Sequence, residues 1–315
     1  MRAVTVVDGQ IEWREHPDPV PGPGEVLIEV RAAGVNPADA LQVRGFYPAP
    51  PGSPADILGL EAAGEVVAIG PSTTRFSVGD RVMALVAGGA QAELLAVHES
   101  CVLAVPASMD WDEAGGFSEV VITAHDALFS QAGLTMGERV CVHGAAGGVG
   151  AAAVQLAKAA GATVVASVRS VDRHDDVRAL GADVVVVPDE VDQHGPFDVV
   201  LELIGAVNLA TDVATLAIGG RIVVVGVSGG ARGELDLLRL MNVRGRIMGA
   251  TLRARPLEGK AAAVQAVAHQ VLPLVDAGRL SIPVTATFDM ADAASAHERL
   301  KAGGKFGKIV LRRDR

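Results

Sequence analysis

One short segment, GAAGGVG at residues 144–150, constrains the fold of this chain more than any other. Three of its glycines follow the spacing G-x-x-G-x-x-G, and it lies between a short apolar run (138–144) and an alanine-rich helical pattern (149–161). Glycine lets the backbone approach an anionic group closely, and the amino end of the following helix offers unpaired N–H donors to it. The alternative is a tight strand–helix turn without a ligand. The strand–turn–helix context favours a pyrophosphate-binding turn.

Valine- and isoleucine-rich runs continue after this turn and alternate with helical patterns. They lie at residues 163–168, 183–188, 198–205, 221–227 and 244–252. Continuous β-branched runs are typical of parallel strands buried on both faces of a sheet. The alternation predicts an α/β fold with a doubly wound parallel sheet over residues 119–252, of the type that binds dinucleotides at the carboxyl ends of its strands.

The first 118 residues have a different sequence pattern, in which Pro- and Gly-rich turns separate short β-like runs. The runs lie at residues 25–30, 64–70, 81–86, 92–97 and 101–105. Short strands with frequent turns predict a barrel-like β domain.

The residues from 253 onward form a third pattern. It reads as a long helix ending at Gly278, a strand (284–288), a helix (291–304) and a final strand (307–313). We expect this tail to return to the β domain, which would then comprise residues 1–118 and 253–315.

Charge and aromatic content exclude several classes of partner. Asp and Glu outnumber Lys and Arg by 37 to 27, the net charge is −10, and aromatic residues make up 3%. An acidic surface is poorly suited to nucleic-acid phosphates and anionic membranes, and few aromatics are present for base stacking. We therefore expect neither nucleic acid nor a membrane as a partner.

The uncharged residues between Arg139 and Lys158 are long enough to suggest a membrane span. The glycine turn interrupts them, so a strand, a turn and a helix start explain them better. The first residues do not resemble a signal peptide. We expect a soluble, cytoplasmic protein.

The end of the second strand of the sheet distinguishes between cofactors. A site that prefers NAD places an acidic residue there to hold the ribose hydroxyls. This chain has Arg169, Ser170 and Arg173, with no acid directly at the strand end. Arginine pairs bidentately with a 2′-phosphate, so these residues predict NADPH. Two observations keep NAD open: the arginines also suit a solvated helix start, and Asp172 lies between them.

Cysteine content limits the metal chemistry. The chain has two cysteines, Cys101 and Cys141, which excludes a four-cysteine structural zinc site. Both occur at or within apolar strand-like runs, where a small core residue is expected. No H-E-x-x-H motif is present.

Several motifs in series resemble one known family. They are GVNPADALQVRGFYP (34–48), ILGLEAAGEVVAIG (57–70), FSVGDRVMAL (76–85), GAAGGVGAAAVQLAKAAGA (144–162) and GKFGKIVL (304–311). Together they resemble the medium-chain dehydrogenase/reductase superfamily, specifically its zinc-free quinone oxidoreductase branch, which includes zeta-crystallin and stress-inducible NADPH quinone oxidoreductases. The resemblance implies a GroES-like β-barrel catalytic domain and a Rossmann domain.

The resemblance also implies that no metal is bound. Zinc-dependent members of the family carry Cys, His and Cys at positions that correspond here to Asn36, Leu60 and Glu119. Reduction of a simple carbonyl creates a basic alkoxide, which usually needs a Lewis acid or a proton relay. A quinone or conjugated enone instead delocalises the incoming charge. The leading interpretation is therefore an NADPH-dependent quinone oxidoreductase. Two alternatives remain: an enoyl or enone reductase for unsaturated carbonyls or thioesters, and a non-catalytic NADPH-binding sensor or structural protein.

Family positions point to the residues around the substrate. Tyr47 matches a tyrosine beside the substrate, Asn36 replaces a zinc ligand near the nicotinamide ribose or substrate, and Thr123 matches a threonine near the nicotinamide. Each has a structural alternative: packing on prolines, turn capping and a helix hydroxyl bond, respectively. Asp39 is interpreted as a structural carboxylate, and Glu119 as a structural or water-holding carboxylate.

The predicted cofactor contacts fall into three groups. The turn and the second strand contribute Gly144, Ala146, Gly147, Gly148, Val149, Gly150, Arg169, Ser170 and Arg173. The carboxyl edge of the sheet contributes Gly205, Val225 and Gly226, where simple turn geometry is the alternative. The resemblance adds Leu252, Arg253 and Lys308.

The sixth strand, near residues 244–252, should form an edge of the sheet. Unprotected edges invite pairing with another chain, and the family commonly dimerises there. We therefore expect a homodimer with an extended sheet.

Overall fold

The computed structural model describes residues 1–313 and divides the chain into two compact units. The first unit comprises Met1–Val120 and the C-terminal segment from Leu252, and the second comprises Val121–Thr251. Within the described residues, no helix is both long and apolar enough to cross a membrane.

The chain up to the end of the third helix is rich in strands. The strands are β1 (Arg2–Val7), β2 (Gln10–Glu15), β3 (Glu25–Val35), β4 (Glu61–Ile69), β5 (Arg81–Leu85), β6 (Leu94–His98) and β7 (Val102–Ala104). The helices are α1 (Pro37–Val43), α2 (Trp111–Gly115) and α3 (Ser118–His125). The antiparallel hairpin of β1 and β2 was absent from the sequence prediction. Its signal was Asp8-Gly9, because both residues have positive φ and this pair favours a two-residue hairpin turn.

Cys101 departs from its predicted place at the start of a strand. It lies in a short 3₁₀ helix, Glu99–Cys101, and the strand begins one residue later. The His98 side chain accepts a hydrogen bond from the Ser100 N–H and so caps this turn. Cys101 is nevertheless buried, as predicted for a core residue.

The second unit contains the parallel sheet. Its elements after α3 are β8 (Arg139–His143), α4 (Gly148–Ala159), β9 (Thr163–Ser167), α5 (His174–Ala179), β10 (Val184–Val186), β11 (Phe197–Glu202), α6 (Leu209–Ala214), β12 (Leu216–Val224), α7 (Leu237–Asn242) and β13 (Arg246–Gly249). The strand order is β10-β9-β8-β11-β12-β13, with parallel pairing throughout. The predicted doubly wound sheet is confirmed, and β13 forms one edge as expected.

The tail completes the first unit. Its elements are α8 (Leu257–Gln270), α9 (Leu272–Asp276), β14 (Val284–Asp289), α10 (Ala293–Lys301) and β15 (Lys308–Arg312). The single long helix predicted here is wrong: it breaks at Val271, because Pro273 has no N–H and fits only the first turn of a new helix. β15 pairs with β14 and with β3, in a sheet ordered β14-β15-β3-β4-β5-β7.

Candidate cofactor and substrate sites

The glycine turn after β8 has the geometry of an anion site. Gly144 has a positive φ of 64°, which favours glycine, and a Cβ on Gly150 would lie 2.5 Å from the Gly144 carbonyl oxygen. Gly147 is the N-cap of α4, and the first backbone bond into the helix is donated by the Ala151 N–H. The N–H groups of residues 148–150 therefore precede the helical ladder, where they suit a pyrophosphate.

The turn lies at the point where the strand order reverses. β8 pairs with β9 on one side and with β11 on the other. Open α/β sheets bind ligands outside the carboxyl ends of the strands at such a switch point. The structure brings the predicted residues Gly205, Val225 and Gly226 to this edge, directly after β11 and β12. The loops also pack on one another, since a Cβ on Gly226 would lie 2.2 Å from the Leu203 carbonyl oxygen.

A buried charged cluster lies at the ends of the two central strands. His143 is the last residue of β8 and Glu202 the last of β11, and Asp212 lies on α6. The His143 Nε2 atom is 2.8 Å from Asp212 Oδ1 and 4.0 Å from Glu202 Oε2. This cluster was not predicted from the sequence. The available signal was Glu202, a charged residue inside an apolar strand.

The electrostatics of the cluster favour a charged imidazole. Burial alone lowers the pKa of His143, but the neighbouring Cys141 sulfur and the hydrogen-bonded Asp212 carboxylate outweigh it and raise the pKa to about 11. Burial raises the pKa of Glu202, and the positive charge of His143 opposes that shift. The Asp212 carboxylate therefore favours the protonated form of His143, and Glu202 lies 4.0 Å from the same nitrogen.

The same three side chains also have the composition of a metal site, with ligand atoms within 4.8 Å of one another. However, both oxygens of Glu202 already accept hydrogen bonds from protein N–H groups. The hydrogen bond between His143 Nε2 and Asp212 Oδ1 likewise occupies one ligand atom on each of those residues.

The residues predicted to read the cofactor phosphate follow β9. Arg169 is exposed, and within residues 1–313 its side chain has no hydrogen-bond or ion-pair partner. Ser170 is half-buried and precedes a 3₁₀ turn. Arg173 already pairs with Asp176 at 3.0 Å. The free guanidinium at this strand end is therefore that of Arg169.

A buried ion pair organises the first unit around Asn36. The Lys308 ammonium donates to Glu61 Oε1 and to Asn36 Oδ1, both at 2.6 Å, and the Asn36 amide donates to Glu61 Oε1 at 3.0 Å. Lys308 is 1% exposed and Glu61 is 0% exposed. The resemblance implied cofactor contact for Lys308 and substrate or ribose contact for Asn36. The structure instead gives both side chains internal partners, so these contacts stay predictions.

Asp39 has the structural role expected of it. Its Oδ2 accepts from the Asn36 N–H at 2.8 Å and its Oδ1 from the Gly59 N–H at 3.1 Å. Burial raises the pKa of Asp39 to about 6, although these two hydrogen bonds oppose the shift. The Asp39 side chain thereby stabilises the first turn of α1 and joins this helix to the segment before β4.

The loop that carries Tyr47 is held by Arg253. The Arg253 guanidinium donates to the Tyr47 carbonyl at 2.7 Å, to the Ala87 carbonyl at 2.8 Å and to the Gln42 amide oxygen. Its central carbon lies 4.9 Å from the centre of the Tyr47 ring, a cation–π distance. Arg253, predicted as a cofactor contact, is buried among these partners. The structure therefore assigns it the support of Tyr47.

Two further predicted positions are Thr123 and Leu252. Thr123 and Leu252 are buried, Thr123 on α3 and Leu252 at the start of the returning segment. Leu60 is buried and offers no ligand atom, and the Asn36 amide oxygen is taken by Lys308. These side chains do not fit a zinc ion at the positions that ligate zinc in other family members.

Two sequence profiles match the chain. The profile described as Alcohol dehydrogenase GroES-like domain matches residues 22–132, and the one described as Zinc-binding dehydrogenase matches residues 148–269. They cover parts of both units. The fold is thus a GroES-like domain combined with a Rossmann-like domain.

Known relatives support the same assignment. Quinone oxidoreductase from Pseudomonas aeruginosa is 33% identical over 316 residues, which span 96% of this chain and 95% of that protein. A segment of polyketide synthase GfsB from Streptomyces halstedii is 34% identical over 294 residues, 91% of this chain but only 5% of the synthase. The solved structure of a mycobacterial protein complexed with NADPH superposes with a TM-score of 0.87 at 27% identity, covering 99% of this chain and 100% of that one.

The chain therefore belongs to the medium-chain dehydrogenase/reductase family, and quinone oxidoreductases are among its relatives. It is an oxidoreductase of a family that uses a nicotinamide cofactor.

Proposed function

We propose that this protein is an NADPH-dependent, zinc-independent quinone oxidoreductase. The observation that carries the proposal is the Arg169 guanidinium after β9, which has no partner among residues 1–313 and follows the strand next to the glycine turn. A guanidinium in this place suits a 2′-phosphate, whereas an NAD site has a carboxylate. The relative complexed with NADPH is consistent with this choice of cofactor.

The chain's own residues account for binding and orientation. The backbone N–H groups of residues 148–150 would hold the pyrophosphate, and Arg169 with Ser170 would hold the 2′-phosphate. When bound, NADPH supplies a hydride. Tyr47 offers a phenol to the quinone oxygen, and Arg253 holds that tyrosine in place. A quinone spreads the incoming negative charge over its ring, so a hydrogen-bond donor suffices and no Lewis acid is required.

The zinc-independent part of the proposal rests on donor chemistry. Leu60 has no ligand atom, and the Asn36 amide already bonds to Lys308 and Glu61. Activity that depends on stoichiometric zinc would contradict it.

The test of function is NADPH oxidation, followed at 340 nm, with a panel of benzoquinones, naphthoquinones, simple enones and enoyl thioesters. The expected result is turnover of quinones, unchanged by a chelator, with NADH a poorer donor. Tight NADPH binding without turnover of any acceptor would favour a sensor or structural protein instead.

A second candidate is reduction of a conjugated carbon–carbon double bond. The 34% identity to a polyketide synthase segment favours it, because the same hydride geometry serves α,β-unsaturated carbonyls and thioesters. Preference for enones or enoyl thioesters over quinones in the same panel would establish this alternative.

Replacing Tyr47 with Phe tests the phenol, since Tyr47 is the single tyrosine of the chain. We expect kcat for quinone reduction to fall about tenfold. This is the change in rate that corresponds to losing one hydrogen bond to the charge that develops on the quinone oxygen. The KM for NADPH should be unchanged. Phe46→Leu, at an exposed neighbouring aromatic, is the matched control. Unaltered quinone turnover in Y47F would remove the hydroxyl from the mechanism.

We also propose a homodimer formed through β13. This strand pairs on one side with β12 and forms an edge of the sheet. The preceding helix α7 exposes Leu237, Leu238 and Met241 at 63%, 67% and 70%. Exposed apolar side chains beside an open edge favour a second copy of the chain. Sedimentation velocity at micromolar concentration should show a dimer, and Met248→Pro in β13 should reduce its population; a monomeric wild type would contradict the proposal.

A further inference from the structure

We propose that Glu202 is a positioning residue for the cofactor, which it serves by fixing the loops that follow β11 and β12. The inference rests on the proposed use of a nicotinamide cofactor and concerns residues outside the family motifs.

The contacts of Glu202 tie several backbone segments to one residue. Its side-chain Oε1 accepts from the Gly205 N–H at 2.7 Å and from the Ile204 N–H, and its Oε2 accepts from the Asn208 side-chain amide at 2.9 Å. Its main-chain carbonyl accepts from the N–H groups of residues 225 and 226 at 2.9 and 3.2 Å. One residue therefore organises both loops at the carboxyl edge of the sheet.

The loop after β11 also contacts the glycine turn. A Cβ on Gly144 would lie 2.9 Å from the Ile204 Cδ1 atom, so the turn and the loop after β11 are in close contact. Gly205 has a φ of 118°, and a Cβ there would lie 2.5 Å from the Gly230 carbonyl oxygen. Such packing leaves little room for the loop to shift without moving its neighbours.

The chemistry of a carboxylate matches this role. Glu202 faces three N–H donors, which its two oxygens accept, and its Oε2 lies 4.0 Å from the His143 Nε2 atom. A buried carboxylate is costly unless it is paired and hydrogen-bonded. The three N–H donors meet this requirement for Glu202, and the His143 ring, which bonds to Asp212 at 2.8 Å, lies beside it.

The support also refines the predicted role of Gly205. Its N–H points to Glu202, so this donor is not available to a ligand. Glu202 itself is buried and acts through the loop rather than by touching the cofactor.

The experiment measures NADPH binding and steady-state kinetics of the full-length protein. Glu202→Ala is expected to raise the Kd for NADPH at least tenfold, with kcat at saturating NADPH within threefold of the wild type. Glu202→Gln keeps the shape and one acceptor oxygen, so it should restore most of the affinity, with a Kd raised about threefold. Asn208→Ala, which removes only one of the donors, should have an effect below that of E202A.

The matched control is Glu138→Ala in the same unit. Glu138 pairs with Arg221 at 2.6 Å, immediately before β8 and therefore at the amino end of the sheet. This variant should lower the melting temperature as E202A does but leave the Kd for NADPH within twofold.

The outcomes separate the two proposals. If the wild type binds neither NADPH nor NADH, the proposed function fails and this inference fails with it. If the wild type binds NADPH and both E202A and E202Q bind it with the wild-type Kd, only the positioning role is overturned. If E202A does not fold, an unchanged Kd for NADPH in both E202Q and N208A overturns the positioning role. Equal affinity losses in E138A and E202A would show a general stability effect and overturn it too.

Discussion

Replacing Arg169 with Ala is expected to lower kcat/KM for NADPH about 10- to 50-fold, the range of one charge-assisted hydrogen-bonding group. The same change should leave kcat/KM for NADH within twofold. The reason is that NADH lacks the 2′-phosphate to which a free guanidinium at this strand end would bind. Parallel initial-rate measurements with both donors and one saturating quinone give the ratio directly.

Two neighbouring arginines serve as controls for Arg169. Arg178 pairs with Asp175 on α5, so Arg178→Ala should affect neither donor. Arg173 is already occupied by Asp176, so Arg173→Ala should cost less than R169A. Equal losses with NADPH and NADH in R169A would contradict recognition of the 2′-phosphate, as would a wild type that prefers NADH.

Replacing Lys308 with Met should destabilise the protein by about 3–5 kcal/mol, the cost typical of removing one partner from a buried ion pair. Methionine fills similar space, but it leaves the Glu61 carboxylate buried without its positive partner. Because whole-protein stabilities are about 5–15 kcal/mol, this is a large fraction of the total. Urea-induced unfolding of the wild type and K308M measures the change.

The double variant separates a structural role of Lys308 from cofactor contact. Glu61→Gln in the K308M background removes the stranded charge and should recover at least half of the lost stability. If Lys308 touches the cofactor, as the family resemblance implies, the KM for NADPH will rise in K308M and stay high in the double variant. Full stability of K308M would contradict the structural importance of the pair.

Most of the fold could be predicted from local patterns in the sequence. The glycine turn, the β-branched runs of the parallel sheet and its edge strand near residue 246 were predicted correctly, because each depends on residues close together in the chain. The hairpin of β1 and β2 was missed although Asp8-Gly9 signalled it. The single helix predicted near residue 271 was wrong because alanine-rich periodicity outweighed Pro273 in that interpretation.

The charged clusters could not be predicted in the same way. Glu61 and Lys308 are 247 positions apart, and His143 and Asp212 are 69 apart. Neither pair has a spacing that marks it, and each member reads alone as an ordinary strand or helix residue. The contact between Arg253 and the Tyr47 loop is also long-range, because the two residues are 206 positions apart in the chain.

The sequence by itself determined the family, the two kinds of domain fold and the turn suited to a dinucleotide. These follow from short-range periodicity and from backbone positions that favour glycine. Only the tertiary structure decided which charges are paired and which are free. It buried Lys308 and Arg253 among internal partners and, within the part of the chain that the structure describes, left Arg169 unpaired after β9. The physical reason is that pairing and burial depend on which distant segments meet in three dimensions.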